Sequence, residues 1–321
     1  MTTAIQNLIV HEVSKAAEDV LVYQLAASGG ADLAPWEPGA HIDIHTPSGL
    51  IRQYSLCGQP SDRKQYQIAV LIERNGRGGS IEIHEKLTVG TSVKVSIPRN
   101  HFPLRPAQKY IFVGGGIGIT PLLPMIDAAQ QSGAAWSLVY GGRNTASMAF
   151  ADALGRLHGE TVTLVPQDVK GMIDIKQIVE QAESDVAVYA CGPGAMLTEL
   201  ETQFEQAGKR TQLFIERFGV DEQKKLIESA GESQGFQIEL AQRGLTLDVP
   251  ADKTLKEVLL GAGIDVPFSC EEGYCGSCET KVLEGVPEHH CSVLTDEEKE
   301  QGEYMMVCVG RSKSAKLVLD L

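Results

Sequence analysis

The sequence reads as a multidomain chain: an antiparallel β segment, then a parallel α/β segment, then a small α+β segment. Three observations carry this. The 321 residues exceed what one ordinary core holds. Hydrophobic spacing changes from short alternating runs in residues 1–104 to strand–helix alternation in 107–218. Acidic charge concentrates in the last third, with 10 Lys/Arg against 20 Asp/Glu over 219–321 and 18 against 22 before it.

In the first segment, Leu8–Val13, Val20–Ala26, His41–His45, Arg52–Cys57, Tyr66–Ile72 and Val93–Ile97 are β-rich or alternate. Turn residues such as Pro35–Gly39 and Pro47–Gly49 separate them, so an antiparallel barrel or sandwich is expected. The second segment starts with a strand at Tyr110–Val113, a glycine turn and a helix over Pro121–Gln131. Strands follow at Trp136–Tyr140, Thr161–Val165 and Val186–Ala190, with a helix over Gly194–Ala207, a parallel-sheet pattern. Residues 219–235 are polar and read as a linker. In 236–321, strands are expected at Phe236–Leu240 and Leu245–Val249, with a helix near Leu255–Ala262.

Apolar residues make up 43% and charged residues 22%, the balance of a globular protein. The net charge of −14 argues against nucleic-acid or anionic-membrane partners, because phosphate surfaces repel it. Met1–Val10 has no basic, apolar leader pattern. The longest apolar run, Tyr110–Ile126, holds four Gly and two Pro, so it does not read as a membrane span. A cytoplasmic location is expected.

Seven cysteines, an odd number, argue against a disulfide framework. Cys270, Cys275 and Cys278 follow a C-x4-C-x2-C spacing, and Cys308 follows after 29 intervening residues. That is the plant-type [2Fe–2S] arrangement: two bridged irons need four thiolates, three from one tight loop and one from a distant strand. Gly273 and Gly276 let the loop backbone wrap closely enough to aim amides at sulfur. The competing reading is structural zinc, which usually pairs two C-x2-C knuckles; only one is present. Cys291 reads as an unligated thiol that leaves oxidation open.

Two phosphate-binding patterns precede the cysteines. Arg52-Gln-Tyr54-Ser55 lies on an expected strand, with Arg52 and Tyr54 on one face. Downstream, Gly76-Arg-Gly78-Gly79-Ser80 feeds a helical stretch for which Ser80 is the expected N-cap; free amides and the positive dipole end suit a phosphate, with Arg52 as a clamp. Each piece alone is equally a bare turn or a strand charge. Gly114-Gly115-Gly116-Ile-Gly118-Ile-Thr120-Pro121 is the second pattern, with Thr120 expected as N-cap and Pro121 at the first helical position. It does not fit G-x-G-x-x-G in register and says only that a ligand sits at a strand's carboxyl end. Cys191-Gly192-Pro193 repeats that logic; its thiol is either a small buried hydrophobe or the wall of a nicotinamide pocket.

In this order, the pieces resemble the phthalate dioxygenase reductase family within the ferredoxin–NADP reductase superfamily. The resemblance spans nearly the whole chain and rests on R52-Q-Y-S55, N75-G-R-G-G-S80, G114-G-G-I-G-I-T-P121, C191-G-P193, E216-R-F-G219, the four cluster cysteines and A315-K-L-V-L-D-L321. It implies a β-barrel flavin domain, an α/β nucleotide domain and a β-grasp-like plant-type ferredoxin domain. FMN would be held by Arg52, Tyr54, Ser55, the backbone around Val70 and Leu71, Gly78, Gly79, Ser80, Thr120 and Phe218. NADH would meet Gly115, Gly116, Thr120, Cys191, Gly192 and Pro193, with Ser55 and Cys191 positioning the reacting rings. Arg143, after the second parallel strand, is equally a 2′-phosphate clamp, a pyrophosphate contact or a solvated side chain.

The implied activity is NADH-dependent electron transfer through FMN and the cluster, one electron at a time, to the oxygenase component of a two-component Rieske non-haem iron system. A terminal partner is also implied by the chain itself, whose eight histidines form no recognisable 2-His-1-carboxylate motif. The alternatives are a reductase for another monooxygenase, an independent diaphorase, or a non-catalytic electron carrier or redox sensor.

Overall fold

The computed structural model describes residues 4–74, 76–218, 234–268, 271, 273, 276–291 and 293–321. They fall into two compact units that divide between Phe218 and Gly219. Most of the expected linker, residues 219–233, lies outside the described residues.

The first unit opens with strands β1 (Ile5–Ala17), β2 (Val20–Ala26), β3 (Ala40–His45), β4 (Ile51–Ser55), β5 (Gln65–Leu71), β6 (Ser92–Ser96) and the short β7 (Arg99–Asn100), with helix α1 (Gly79–Lys86) after β5. They order as β4-β3-β6-β1-β2-β5, with β7 on β3. A bridge between Leu56 and Ile68 joins the two ends, so the sheet closes into a barrel, which removes its free edges. Alternation turns Leu8, Val10, Tyr23, Leu25, Ile42, Ile44, Ile68 and Val70 into one core. β1 runs longer than its apolar pattern suggests because two register shifts, at Val10/Glu12 and Lys15/Ala17, carry it round the barrel.

The α/β part of the same unit contains β8 (Lys109–Gly115), α2 (Leu122–Ser132), β9 (Ala135–Gly142), α3 (Ala151–His158), β10 (Val162–Pro166), α4 (Gln167–Lys170), α5 (Ile175–Gln181), β11 (Val186–Cys191), α6 (Gly194–Gln206) and β12 (Leu213–Glu216). The parallel order is β10-β9-β8-β11-β12. The direction of winding therefore reverses between β8 and β11, and their carboxyl ends flank a crevice. An aromatic stack of Tyr110, Phe112, Tyr189 and Phe214 fills one side of this sheet. Tyr189 also ties down the connector from the barrel, taking the Arg105 amide at 2.7 Å and donating to the Pro103 carbonyl at 3.1 Å. The barrel's Val20, Val22, Cys57 and Ala69 pack against Ala149, Ile117, Leu123 and Phe150 of the α/β part.

Two expected caps are corrected. Ser80 does not cap α1; the N-cap is Gly78, in the left-handed region at φ 81°, and the Ser80 hydroxyl accepts the Glu73 amide at 2.9 Å instead. Thr120 does not cap α2 either. The strand continues to Gly115, a 3₁₀ turn over Gly116–Ile119 intervenes, and Pro121 occupies the N-cap. The Thr120 hydroxyl donates back to the Ile117 carbonyl at 3.0 Å and so is unavailable to α2.

The second unit contains β13 (Phe236–Leu240), β14 (Leu245–Val249), α7 (Leu255–Gly261), β15 (Glu279–Glu284), β16 (Pro287–Glu288), α8 (Asp296–Gln301), β17 (Tyr304–Met306), β18 (Arg311–Ser312) and β19 (Lys316–Leu319). Its main sheet orders as β14-β13-β19-β15-β17, with β13 and β19 parallel and the C-terminal strand central, the β-grasp pattern. Thr254 and Glu257 form a reciprocal capping box at the start of α7. Leu255 and Leu259 of α7 join Ile238, Leu240, Leu317 and Leu319 in the core.

Candidate active site

At the end of β4, the Ser55 hydroxyl donates to Oε2 of Glu216 at 3.5 Å. Glu216 ends β12 and lies opposite Cys191 at the end of β11. Ser55 and Cys191 come from distant parts of the chain, and this one carboxyl group stands between them. Sequence reasoning assigned no role to Glu216. Its signal in the sequence is its place at the head of E216-R-F-G219, two residues before the aromatic ring. Burial pushes the Glu216 carboxyl up to about 8, against a smaller opposing effect of the Ser55 hydrogen bond. The shift favours the protonated, uncharged carboxyl. The Cys191 thiol is fully buried and raised, first by desolvation and then by Glu216, so it stays a thiol.

The glycine turns after β8 and β11 are pressed together. A Cβ on Gly118 would lie 2.3 Å from the Cys191 carbonyl oxygen, and one on Gly192 would lie 2.8 Å from the Gly115 Cα. One on Gly115 would strike Pro193 Cδ at 2.5 Å. Gly118 and Gly192 are thus required by backbone meeting backbone, and Gly115 by the Pro193 ring. Gly116, at φ 54° with open space beside it, is the one that faces outward. Thr120 is buried, and Phe218 is half-buried two residues beyond β12.

On the barrel, the Arg52 side chain lies flat over Gly79, where a Cβ would stand 2.4 Å from Nε. Its guanidinium donates to the Ile51 carbonyl at 2.8 Å and to the Arg77 carbonyl at 3.4 Å. Arg52 and the first turn of α1 therefore sit side by side. Tyr54 packs on the barrel core, and burial raises its phenol. Val70 points into the core while its carbonyl meets His84 Nε2 at 2.8 Å; Leu71 is half-buried beside it.

In the second unit, Cys278 and Cys308 are both buried in one core. The Val307 amide donates to the Cys278 carbonyl at 3.4 Å, which brings the two cysteine segments together. Cys270 and Cys275 lie outside the described residues. Gly273 at φ 78° and Gly276 at φ 73° both lie in the left-handed region. A Cβ on Gly273 would press on the Cys291 backbone, at 3.0 Å from its Cα.

Family models match residues 112–202 as an oxidoreductase NAD-binding domain and residues 238–313 as a 2Fe-2S iron–sulfur cluster binding domain. The phenoxybenzoate dioxygenase subunit beta of Ectopseudomonas oleovorans is 38% identical over 100% of this chain and 98% of its own length. Phthalate dioxygenase reductase of Burkholderia cepacia is 38% identical over 98% of this chain and 97% of its own. The chain belongs to the phthalate dioxygenase reductase family. A solved phthalate dioxygenase reductase, described as a modular structure for electron transfer from pyridine nucleotides to [2Fe–2S], superposes with a TM-score of 0.72 at 36% identity, covering 99% of this chain and 98% of that one.

The residues of this reductase fit the groups its family carries. For FMN, a left-handed Gly78, a Gly79 cradle that any Cβ would fill and the Arg52 guanidinium form a phosphate donor set at a helix start. For a nicotinamide nucleotide, the crevice between β8 and β11 offers the outward-facing Gly116 at the winding reversal. For a [2Fe–2S] cluster, the described half of the donor set is two buried cysteines, Cys278 and Cys308, in one core. Among the described residues, no helix is long and apolar enough to cross a membrane.

Proposed function

We propose that this chain is the NADH-dependent reductase of a two-component Rieske non-haem iron oxygenase, taking electrons in pairs and handing them on singly. The chemistry supplied by bound FMN and the [2Fe–2S] cluster is the conversion of a two-electron hydride donor into one-electron delivery. The protein's own work is holding, orienting and managing protons.

In this reading, residues 1–104 are the FMN domain, 107–218 the NADH domain, 219–235 the linker and 236–321 the ferredoxin domain. Arg52, Gly78, Gly79 and Ser80 hold the flavin phosphate. Tyr54, Ser55, Val70, Leu71, Thr120 and Phe218 surround its ring, Phe218 as a planar cover that hydride delivery must displace. Gly115, Gly116, Thr120, Cys191, Gly192 and Pro193 receive NADH. Cys270, Cys275, Cys278 and Cys308 ligate the iron. Glu216 holds a proton on its carboxyl beside Ser55, so the resting pair carries no charge and has a proton to donate, and taking it back removes the carboxylate charge that donation creates. Both NADH and the acceptor are cytoplasmic, and so is the chain.

The observation that carries this reading is the Ser55–Glu216 hydrogen bond, because it joins the barrel to the carboxyl ends of β11 and β12 and gives the two sites a common wall. Coupled turnover tests it. With a matching Rieske oxygenase, the chain is expected to support NADH-dependent oxygenation. A chain that reduces dyes with NADH but drives no Rieske oxygenase overturns the partner assignment.

A further inference from the structure

The glycine turn after β8 is held by a side chain that lies outside the proposed cofactor contacts. Tyr140, on β9, is 0% exposed and stands opposite Gly114 in the β8–β9 pairing. Its ring lies against the turn: a Cβ on Gly114 would stand 3.3 Å from Tyr140 Cδ2. The Tyr140 hydroxyl donates to two carbonyl oxygens, those of Gly116 and Ala149, each at 3.1 Å. A phenol has one proton to give, so the two acceptors share it. Burial raises the phenol, which keeps that proton in place.

Both acceptors sit at left-handed kinks. Gly116 itself has φ 54°. The Ala149 carbonyl belongs to the peptide that leads into Phe150, which has φ 64° at the start of α3. An aromatic residue holds such an angle only where its surroundings impose it. The two kinks have different neighbours. Gly116 has open space beside it in the nucleotide turn, whereas Ala149 packs with Val20, Val22, Cys57 and Ala69 of the barrel.

We propose that Tyr140 is the positioning residue of the nucleotide turn: its hydroxyl fixes the Gly116–Ile117 peptide and ties it to the segment seated on the barrel. A peptide is planar and trans, so a Gly116 carbonyl drawn toward Tyr140 turns the Ile117 amide the opposite way. Without the hydroxyl, that carbonyl loses its partner, and a glycine at positive φ lets the peptide turn over at little steric cost. The side of the turn away from Tyr140 then carries a carbonyl oxygen in place of an N–H, which disfavours an anionic pyrophosphate. This role rests on the proposed placing of NADH at Gly116, and the test separates the two.

The test is calorimetric titration of the FMN- and cluster-loaded full chain with ADP-ribose, which carries the pyrophosphate of NADH without its nicotinamide. Tyr140→Phe removes only the hydroxyl. It is expected to weaken ADP-ribose binding at least about fivefold while FMN affinity stays within about twofold. Tyr189→Phe removes a buried hydroxyl from another strand of the same sheet and is expected to leave ADP-ribose affinity within about twofold. Unchanged ADP-ribose affinity in folded Tyr140→Phe overturns the proposal. So does an equal loss in Tyr189→Phe, or an equal loss of FMN affinity, since either marks a general loosening. Should Tyr140→Phe not fold, backbone amide exchange in the wild type decides. ADP-ribose is expected to slow exchange in residues 149–154 at least about threefold, and unchanged exchange there overturns the proposal. A wild-type chain that binds no ADP-ribose overturns the placing of NADH, and this role with it.

Discussion

Glu216 is a carboxylic acid in a place where a carboxylate would be costly, and that leaves a pH signature. Its value is raised from 4.5 to about 8 on folding, so the folded state keeps a proton that the unfolded chain gives up. Its contribution to stability is complete at low pH, declines above the unfolded value of about 4.5, and is lost as pH rises through about 8. The decline approaches about 1.4 kcal/mol per pH unit between those limits. Glu216→Gln, which needs no proton, is expected to flatten the fall in Tm between those two values; parallel wild-type and variant Tm profiles would refute the buried neutral carboxyl. Arg52 is tested by binding. Removing the guanidinium beside Gly79 in Arg52→Ala takes away a charge-assisted contact of about 1.5–3 kcal/mol, so FMN affinity is expected to fall by roughly tenfold to a hundredfold in equilibrium dialysis.

At the scale of elements, the two turns after β8 and β11 are fixed by one another. Gly118→Ala places a methyl group 2.3–2.6 Å from backbone atoms of Cys191 and Gly192, none of which can rotate away. A loss of about 1–3 kcal/mol or more is expected, measured as a lower Tm with weaker NADH binding. Gly116→Ala meets open space and suffers only its left-handed φ, so it is expected to cost less. The sequence announced a glycine turn here but not its cause. Local spacing shows that side chains are excluded, not whether a ligand or another backbone excludes them. The strands and long helices were legible because their periodicity is local, and Phe236–Leu240 and Leu245–Val249 emerge as expected. The caps at Ser80 and Thr120 were misjudged because each hydroxyl had a competing backbone partner, Glu73 or Ile117, that only the fold brings near. Glu216 was missed for a similar reason. Its partner Ser55 is 161 residues away, and nothing in the local pattern marks a glutamate at a strand end as pairing across the fold.

At the scale of the molecule, the chain carries its entry and exit chemistry on separate compact units. Cys308→Ser is expected to leave flavin reduction by NADH within about twofold of wild type while abolishing delivery to the oxygenase, because it removes one of the four cysteines proposed to ligate the cluster, and does so in the second unit alone. Loss of flavin reduction in that variant would contradict the division of labour. The 10 Lys/Arg against 20 Asp/Glu in residues 219–321 suit a basic docking surface, so oxygenase turnover is expected to weaken as ionic strength rises through the range where the Debye length falls below about 10 Å.

The most direct measurement is an anaerobic titration of the purified chain with NADH, following flavin and iron–sulfur absorbance together. Both chromophores are expected to bleach, the second only in chains that retain all four cluster cysteines. A flavin that bleaches beside an iron–sulfur band that stays unchanged, or a chain that binds zinc in place of iron, would contradict electron passage from NADH to a [2Fe–2S] cluster within one polypeptide.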